Sequence, residues 1–205
     1  MFAPPGRLWL SVFLGGVVLS LVGYWGWHSI WFLALAIPIA GFLVLLIFFF
    51  RDPERPVGPA IVAAADGRVM VVKEEGKNVR IGTFMNVSNV HVNRSPVPGF
   101  LVRVDTREGP RVPAYSPEAS GNAQKRYLFG TPFGLVEVVQ ITGLVARRCV
   151  AYSRAGTPVR KGQRFGMVLF GSRVDVVLPR DQVQVVVQIG TRVRAGTTTI
   201  AELRS

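Results

Sequence analysis

The 205 residues suffice for one domain of ordinary size with some chain to spare, and 49% of them are hydrophobic. Lys and Arg outnumber Asp and Glu by 24 to 12, a net charge of +12 that attracts anionic surfaces; without an RNP-like motif, an aromatic and basic stripe or zinc-finger spacing, nucleic acid is not the expected partner. A single cysteine, Cys149, excludes an intrachain disulfide framework and reads as simple burial, and with only His28 and His91 beside it no transition-metal site is expected.

Between Leu8 and Phe50 there is no Asp, Glu, Lys or Arg. The apolar runs 8–27 and 30–50 are each about 20 residues, the length a helix needs to cross roughly 30 Å of hydrocarbon. A cleaved signal peptide would have a shorter apolar region, of roughly 7–15 residues. Residues 1–50 therefore read as a membrane-embedded helical hairpin. "GWHS" breaks it, with Trp25, Trp27 and Trp31 suited to the interface, and Pro38 is tolerated in a bilayer helix. Arg7 precedes the pair and Arg51 and Arg55 follow it, while the loop has neither Lys nor Arg. The positive-inside tendency places both ends on the cytoplasmic side of the cell membrane. Arg51, Arg55, Arg147 and Arg148 are candidates to hold the following domain against its anionic surface.

Residues 51–60, "RDPERPVGPA", form a proline-rich junction where helix does not easily continue. Beyond it, in 61–205, the chain turns to short segments rich in Val and Ile and punctuated by Gly and Pro. "RVMVVKEE", "NVRIGTFMNV", "FLVRVDT", "GLVEVVQITG", "RRCVAYS", "FGMVLFG", "RVDVVLP" and "VQVVVQIG" all read as strands. Alternation in the last two predicts half-buried antiparallel strands. The fold class expected is mainly β, a barrel or sandwich with at most one short helix. "VRKG" (159–162) and "VRAG" (193–196) look like the paired hairpin turns of lipoyl-like barrel-sandwich domains. Lys161 is the one lysine placed as a lipoyl carrier would need it, and a basic turn residue is the plainer reading.

No phosphate-binding loop, dinucleotide fingerprint, H-E-x-x-H or C-x-x-C is present. His91 is the one imidazole beyond the hairpin. If "FMNVSNVHVNRSPVPG" (84–99) is one strand, Met85, Val87, Asn89, His91 and Asn93 share a face. Asp66 sits in an Asp-Gly turn, and "FGSRVDVVLP" (170–179) sets Ser172 behind a glycine. Together Asp66, His91 and Ser172 supply the group types of an activated serine. Spacing alone does not bring them together, and "LFGSRVD" lacks the second glycine of a nucleophile elbow.

The stretches "FFFRDPERP", "AADGRV", "FMNVSNVHVNRSPVPG", "VVQITGLVARR" and "GQRFGMVLFGSRVDVVLP" occur in this order from Phe48 to Pro179. In them the chain resembles the short, membrane-attached bacterial branch of the pyruvoyl-dependent phosphatidylserine decarboxylases. The resemblance implies that the chain cuts itself at Gly171-Ser172 into pieces 1–171 and 172–205 that stay associated. The Ser172 hydroxyl would attack the Gly171 carbonyl, and elimination and hydrolysis would leave a covalent pyruvoyl group derived from Ser172. That ketone would take phosphatidylserine as a Schiff base and release phosphatidylethanolamine and CO2. His91, matching the family's histidine, would protonate the α-carbon. Asp66, matching its aspartate, would orient or charge-balance the base used for self-cleavage.

Two departures accompany the match. Longer members carry a second histidine three positions on, implicated as the self-cleavage base, where this chain has Arg94. Arginine stays protonated and makes a poor base, so either His91 serves both steps or another group activates Ser172. Arg94 is then a candidate for the substrate phosphate or carboxylate. The family's "K-A-S-x-x-N-E-R" segment becomes "EASGNAQKR" (118–126), which leaves Asn122 and Lys125 as candidate substrate contacts. Arg173, directly after the nucleophile, agrees with the short branch. The alternative is a non-catalytic, membrane-tethered lipid-binding or adaptor module that has lost processing. The sequence leaves assembly into a homo-oligomer open.

Overall fold

Two helices open the chain, α1 (Pro4–Trp27) and α2 (Ile30–Phe49). In this computed structural model the described residues are 2–110, 112–143, 149–169 and 172–204. The chain divides into two units, Met1–Glu54 and Arg55–Ser205. α1 starts four residues earlier than the apolar run, because prolines occupy its first turn, where a missing N–H costs no bond. It stops at His28, which turns left-handed at φ 51° while its amide donates to the Tyr24 carbonyl at 2.8 Å. Phe13 meets Phe42 across the pair at 4.8 Å between ring centroids. Pro38 lies inside α2. Both helices are long and apolar enough to cross a membrane, and Trp25, Trp27 and Trp31 are exposed near the turn between them.

The second unit is almost entirely β. Its strands are β1 (Ile61–Val62), β2 (Gly67–Glu75), β3 (Asn78–Met85), β4 (Val92–Arg94), β5 (Gly99–Arg107), β6 (Gln124–Thr131) and β7 (Gly134–Ile141). They continue with β8 (Cys149–Ala151), β9 (Thr157–Val159), β10 (Arg164–Val168), β11 (Ser172–Pro179), β12 (Val183–Val185), β13 (Arg192–Val193) and β14 (Thr199–Leu203). One antiparallel sheet runs β13-β2-β3-β11-β7-β6-β5-β9, and two three-stranded sheets run β4-β10-β8 and β1-β14-β12. The only helical turn described in this unit is a short 3-10 segment, Pro117–Gly121. A mainly β domain after an apolar helical pair is thus what the chain forms.

The β4-β10-β8 sheet packs on the inner face of the large one. Phe165 of β10 lies edge-on to Tyr127 at 4.6 Å and Phe129 at 5.9 Å, all three fully buried. Phe165→Ala is expected to cost about 3–5 kcal/mol by leaving a cavity under β6; a shift in the urea midpoint at unchanged slope would measure it.

Three expectations are corrected. The first concerns β11, which alternates as read but is buried on both faces from Ser172 to Leu178 rather than half-buried. It is the strand between β3 and β7, and its polar face is closed by ion pairs. Arg173 donates to Asp175 at 2.6 and 2.8 Å, and Arg80 reaches the same carboxylate at 3.0 Å. Gly82 on β3 makes room for them, since a Cβ there would stand 2.7 Å from an Asp175 carboxylate oxygen. The second is "VQVVVQIG", of which Val183–Val185 alone is strand. The third is the stretch 84–93, which is not one strand. A turn at 86–89 interrupts it, so Val87 points outward while Met85, His91 and Asn93 are buried.

The paired turns read from the sequence do lie together. Gly162 and Gly196 both adopt φ +76°, and a Cβ on Gly196 would come 3.5 Å from the Gly162 Cα. Only glycine holds such angles without strain. Lys161 donates to the Ala60 carbonyl at 3.1 Å, as a turn residue would.

Candidate active site

β11 begins on Ser172, whose backbone is in register with Met85 of β3. Its hydroxyl lies 3.8 Å from the Met85 sulfur. Asn93 reaches the same sulfur with its amide nitrogen at 3.7 Å. The Asn93 Oδ1 accepts from Gln140 Nε2 at 2.7 Å, and Gln140 Oε1 accepts from the Tyr127 hydroxyl at 3.1 Å. Ser172, Met85, Asn93, Gln140 and Tyr127 are all at 0% exposure, so this polar chain is dry and its members are held by one another. Burial drives the Tyr127 phenol far above its ordinary range, which keeps it neutral and a donor. Cys149 is likewise pushed up, to about 11, mainly by burial and partly opposed by Lys125. At neutral pH it is a protonated thiol and no nucleophile. Gly171, Arg147 and Arg148 lie outside the described residues.

His91 is fully buried just before β4. Its Nδ1 is 2.9 Å from the Asn89 carbonyl, which can only accept. The hydrogen of the neutral ring therefore sits on Nδ1, and Nε2 carries the lone pair. The His91 carbonyl accepts from Val168 at 3.3 Å, tying the imidazole to the end of β10, four residues before Ser172. Asn89 belongs to a turn braced by its own side chains. Asn89 Oδ1 accepts from the Asn86 amide at 3.0 Å, and Asn86 Oδ1 accepts from the Ser88 amide at 3.0 Å.

That turn and Asp66 line one cleft of about 750 Å³. The Asp66 carboxylate takes both terminal nitrogens of Arg55, at 2.5 and 2.8 Å, and the Ala195 amide at 2.8 Å. Its described partners are thus a guanidinium and the second glycine turn, not the imidazole. Arg55, a candidate for the membrane surface, has only 12% of its side chain exposed and faces Asp66. Asp66→Asn would replace the carboxylate that takes both terminal nitrogens of that guanidinium, and the Ala195 amide, with a neutral amide in a largely dry place. A loss of about 3 kcal/mol is expected, read as a lower thermal midpoint; a change below about 0.5 kcal/mol would mean the pair behaves as a solvated surface bridge.

The remaining sequence candidates are placed as follows. Arg94 is buried on β4, directs Nη1 toward the Gly162 carbonyl at 3.4 Å and packs against Gly196. Asn122 donates both amide hydrogens, to the carbonyls of Val112 and Thr142 at 2.7 Å each, and accepts from the Val112 amide at 3.1 Å. It braces the loop that precedes β6. Lys125 is half-buried on β6 near Cys149. Gln140 and Tyr127 are the site members that the sequence did not single out. The available signal was a glutamine inside the apolar run "VEVVQITG", which only a buried partner could justify.

Residues 42–201 match the family described as phosphatidylserine decarboxylase. The chain belongs to that family. It is 42% identical over 168 residues to a phosphatidylserine decarboxylase proenzyme of Thermobifida fusca, covering 80% of this chain and 76% of the relative. A phosphatidylserine decarboxylase proenzyme of Carboxydothermus hydrogenoformans is 36% identical over 209 residues, covering 96% of this chain and 94% of the relative. At the same identity and length, covering 100% and 98%, stands a Methanosarcina acetivorans protein provisionally named an archaetidylserine decarboxylase proenzyme. The span shared with the phosphatidylserine decarboxylase family contains Asp66, His91 and Ser172, whereas α1 lies outside it.

Proposed function

We propose that this member of the family is a membrane-attached decarboxylase that cuts its own Gly171-Ser172 peptide and converts phosphatidylserine to phosphatidylethanolamine and CO2. The observation that carries the reading is Ser172 itself, buried at the head of the central strand above a dry polar chain. A serine so placed has its backbone held in register with Met85 of β3, and the next residue, Arg173, is paired on both sides, so the hydroxyl is carried on a fixed strand end.

The Ser172 oxygen attacks the Gly171 carbonyl, the C–N bond breaks, and the amide becomes an ester. Loss of the Cα proton and of the Gly171 carboxylate leaves a dehydroalanine, and its hydrolysis releases ammonia and leaves the pyruvoyl terminus of chain 172–205. The surroundings of Ser172 fit such a group, since Met85 and Asn93 offer a polarisable sulfur and a neutral amide with no charge to trap. When formed, the pyruvoyl group supplies an electron-accepting ketone for the pair left behind as the substrate loses CO2. With its ring fixed through Nδ1 by the Asn89 carbonyl, His91 takes up a solvent proton on the Nε2 lone pair and delivers it to the substrate α-carbon. Asp66 acts as a positioning residue through Arg55 and the Ala195 turn. The α1–α2 hairpin keeps the domain at a bilayer on its cytoplasmic side. A two-chain lipid is negligibly soluble, so it must be taken from that surface.

Freshly purified protein in lipid should run on a denaturing gel as two chains, 1–171 and 172–205. Intact mass of the smaller should report a pyruvoyl terminus, and cyanoborohydride with phosphatidylserine should label it. An uncut chain that still releases CO2 would overturn the account; an uncut and inactive one points to the lipid-binding alternative. Similarity to the Methanosarcina relative over the full chain makes archaetidylserine the comparison substrate, which separates recognition of the headgroup from that of the tails.

A further inference from the structure

β13 and β2 pair so that Arg192 stands directly opposite Arg68. Like charges in facing positions destabilise an antiparallel pair, so two arginines here need a reason. Both line the 750 Å³ cleft that Asp66 lines, and Arg194 joins them. None of the three side chains makes a hydrogen bond or ion pair among the described residues, and all three are exposed. The cleft's carboxylate cannot serve them, because Asp66 is already taken by Arg55 and Ala195. Three uncompensated guanidiniums therefore converge on one concave surface beside the candidate active site.

The rim of that cleft is apolar where a turn is ordinarily polar. Val87 sits at the tip of the braced 86–89 turn with 57% of its surface exposed, between Asn86 and Ser88 of the lining. Met70 lines the same cleft and is also exposed. We propose that Arg68, Arg192 and Arg194 bind the phosphodiester of a membrane phospholipid, with Val87 and Met70 against its glycerol and upper acyl carbons. A bidentate guanidinium matches two phosphate oxygens, and an anion between Arg68 and Arg192 turns their repulsion into shared attraction. This rests on the decarboxylase reading only in naming the bound lipid as the substrate, so that the phosphate is gripped while the amine and carboxylate reach Ser172.

The test uses the full chain in uncharged detergent and the Arg192→Gln and Val87→Asp variants. Arg192→Gln should unfold at or above the wild-type temperature, since it removes a like-charge pair; a clear drop would make Arg192 structural and overturn the proposal. Glycerophosphoethanolamine should broaden in ³¹P NMR with wild type and not with Arg192→Gln, and equal broadening in both would overturn it. Inorganic phosphate at the same concentration should broaden less than dihexanoyl phosphatidylethanolamine. If it binds as well, and Val87→Asp leaves both unchanged, the site takes free phosphate and the lipid assignment falls. In decarboxylation assays KM for phosphatidylserine in micelles should rise about tenfold in Arg192→Gln, equivalent to about 1.4 kcal/mol. Should the wild-type chain prove uncut and inactive, the ³¹P arms still decide the arginines, so the two readings fail separately.

Discussion

Ser172→Ala protein is expected to remain one full-length chain and to release no CO2 from phosphatidylserine. Without the hydroxyl there is neither a nucleophile for the Gly171 carbonyl nor an oxygen to carry the acyl group away, so the effect is complete rather than partial. The substitution removes one oxygen whose described contact is a 3.8 Å approach to a sulfur. The loss of folding stability should therefore stay near 1 kcal/mol, and a thermal midpoint close to wild type separates chemistry from misfolding. A Ser172→Ala chain that is still cut at this bond would remove the basis of the proposed function.

His91→Ala is the second large effect. Positioned proton transfer is worth about 10²–10⁴ in rate, and the described geometry presents no other imidazole in this unit to replace it. A fall of that size in kcat is expected, measured per mole of processed chain so that slow self-cleavage is not counted as slow turnover. Following the cut and the turnover separately also decides the question raised by Arg94. If His91→Ala slows both, one imidazole serves both steps; if the cut proceeds at the wild-type rate, another group activates Ser172. Retention of kcat within tenfold would assign the α-carbon proton to a different donor.

The interior explains why the site tolerates so little. Gln140 and Tyr127 complete a buried polar chain with Asn93, and each satisfies a group that would otherwise cost about 1–3 kcal/mol unpaired. Removing one member leaves its neighbour stranded without water. Asn93 also touches the sulfur beside the Ser172 hydroxyl, so a change at Gln140 is carried to the reacting position through two side chains.

Much of the molecule is legible in its sequence. Charge-free stretches of about 20 residues announce helices of the α1 and α2 kind, because length and apolarity follow from hydrocarbon thickness. Short Val- and Ile-rich runs between Gly and Pro announce strands, since both signals are local. "VRKG" and "VRAG" foretold two left-handed glycine turns for the same reason, and the ordered motifs from Phe48 to Pro179 pointed to the family. What local pattern does not contain is partnership. Alternation in "RVDVVLP" could not reveal that the polar face of β11 would be closed over by Arg80 and Arg173 rather than by water. No spacing could say that Asp66 would face Arg55 and Ala195 instead of His91, that Asn122 would spend its amide on a loop, or that Arg68 and Arg192 would be set opposite each other. Those outcomes depend on which strands become neighbours, and that choice is made by burying the whole apolar surface at once, a quantity that no short window of residues carries.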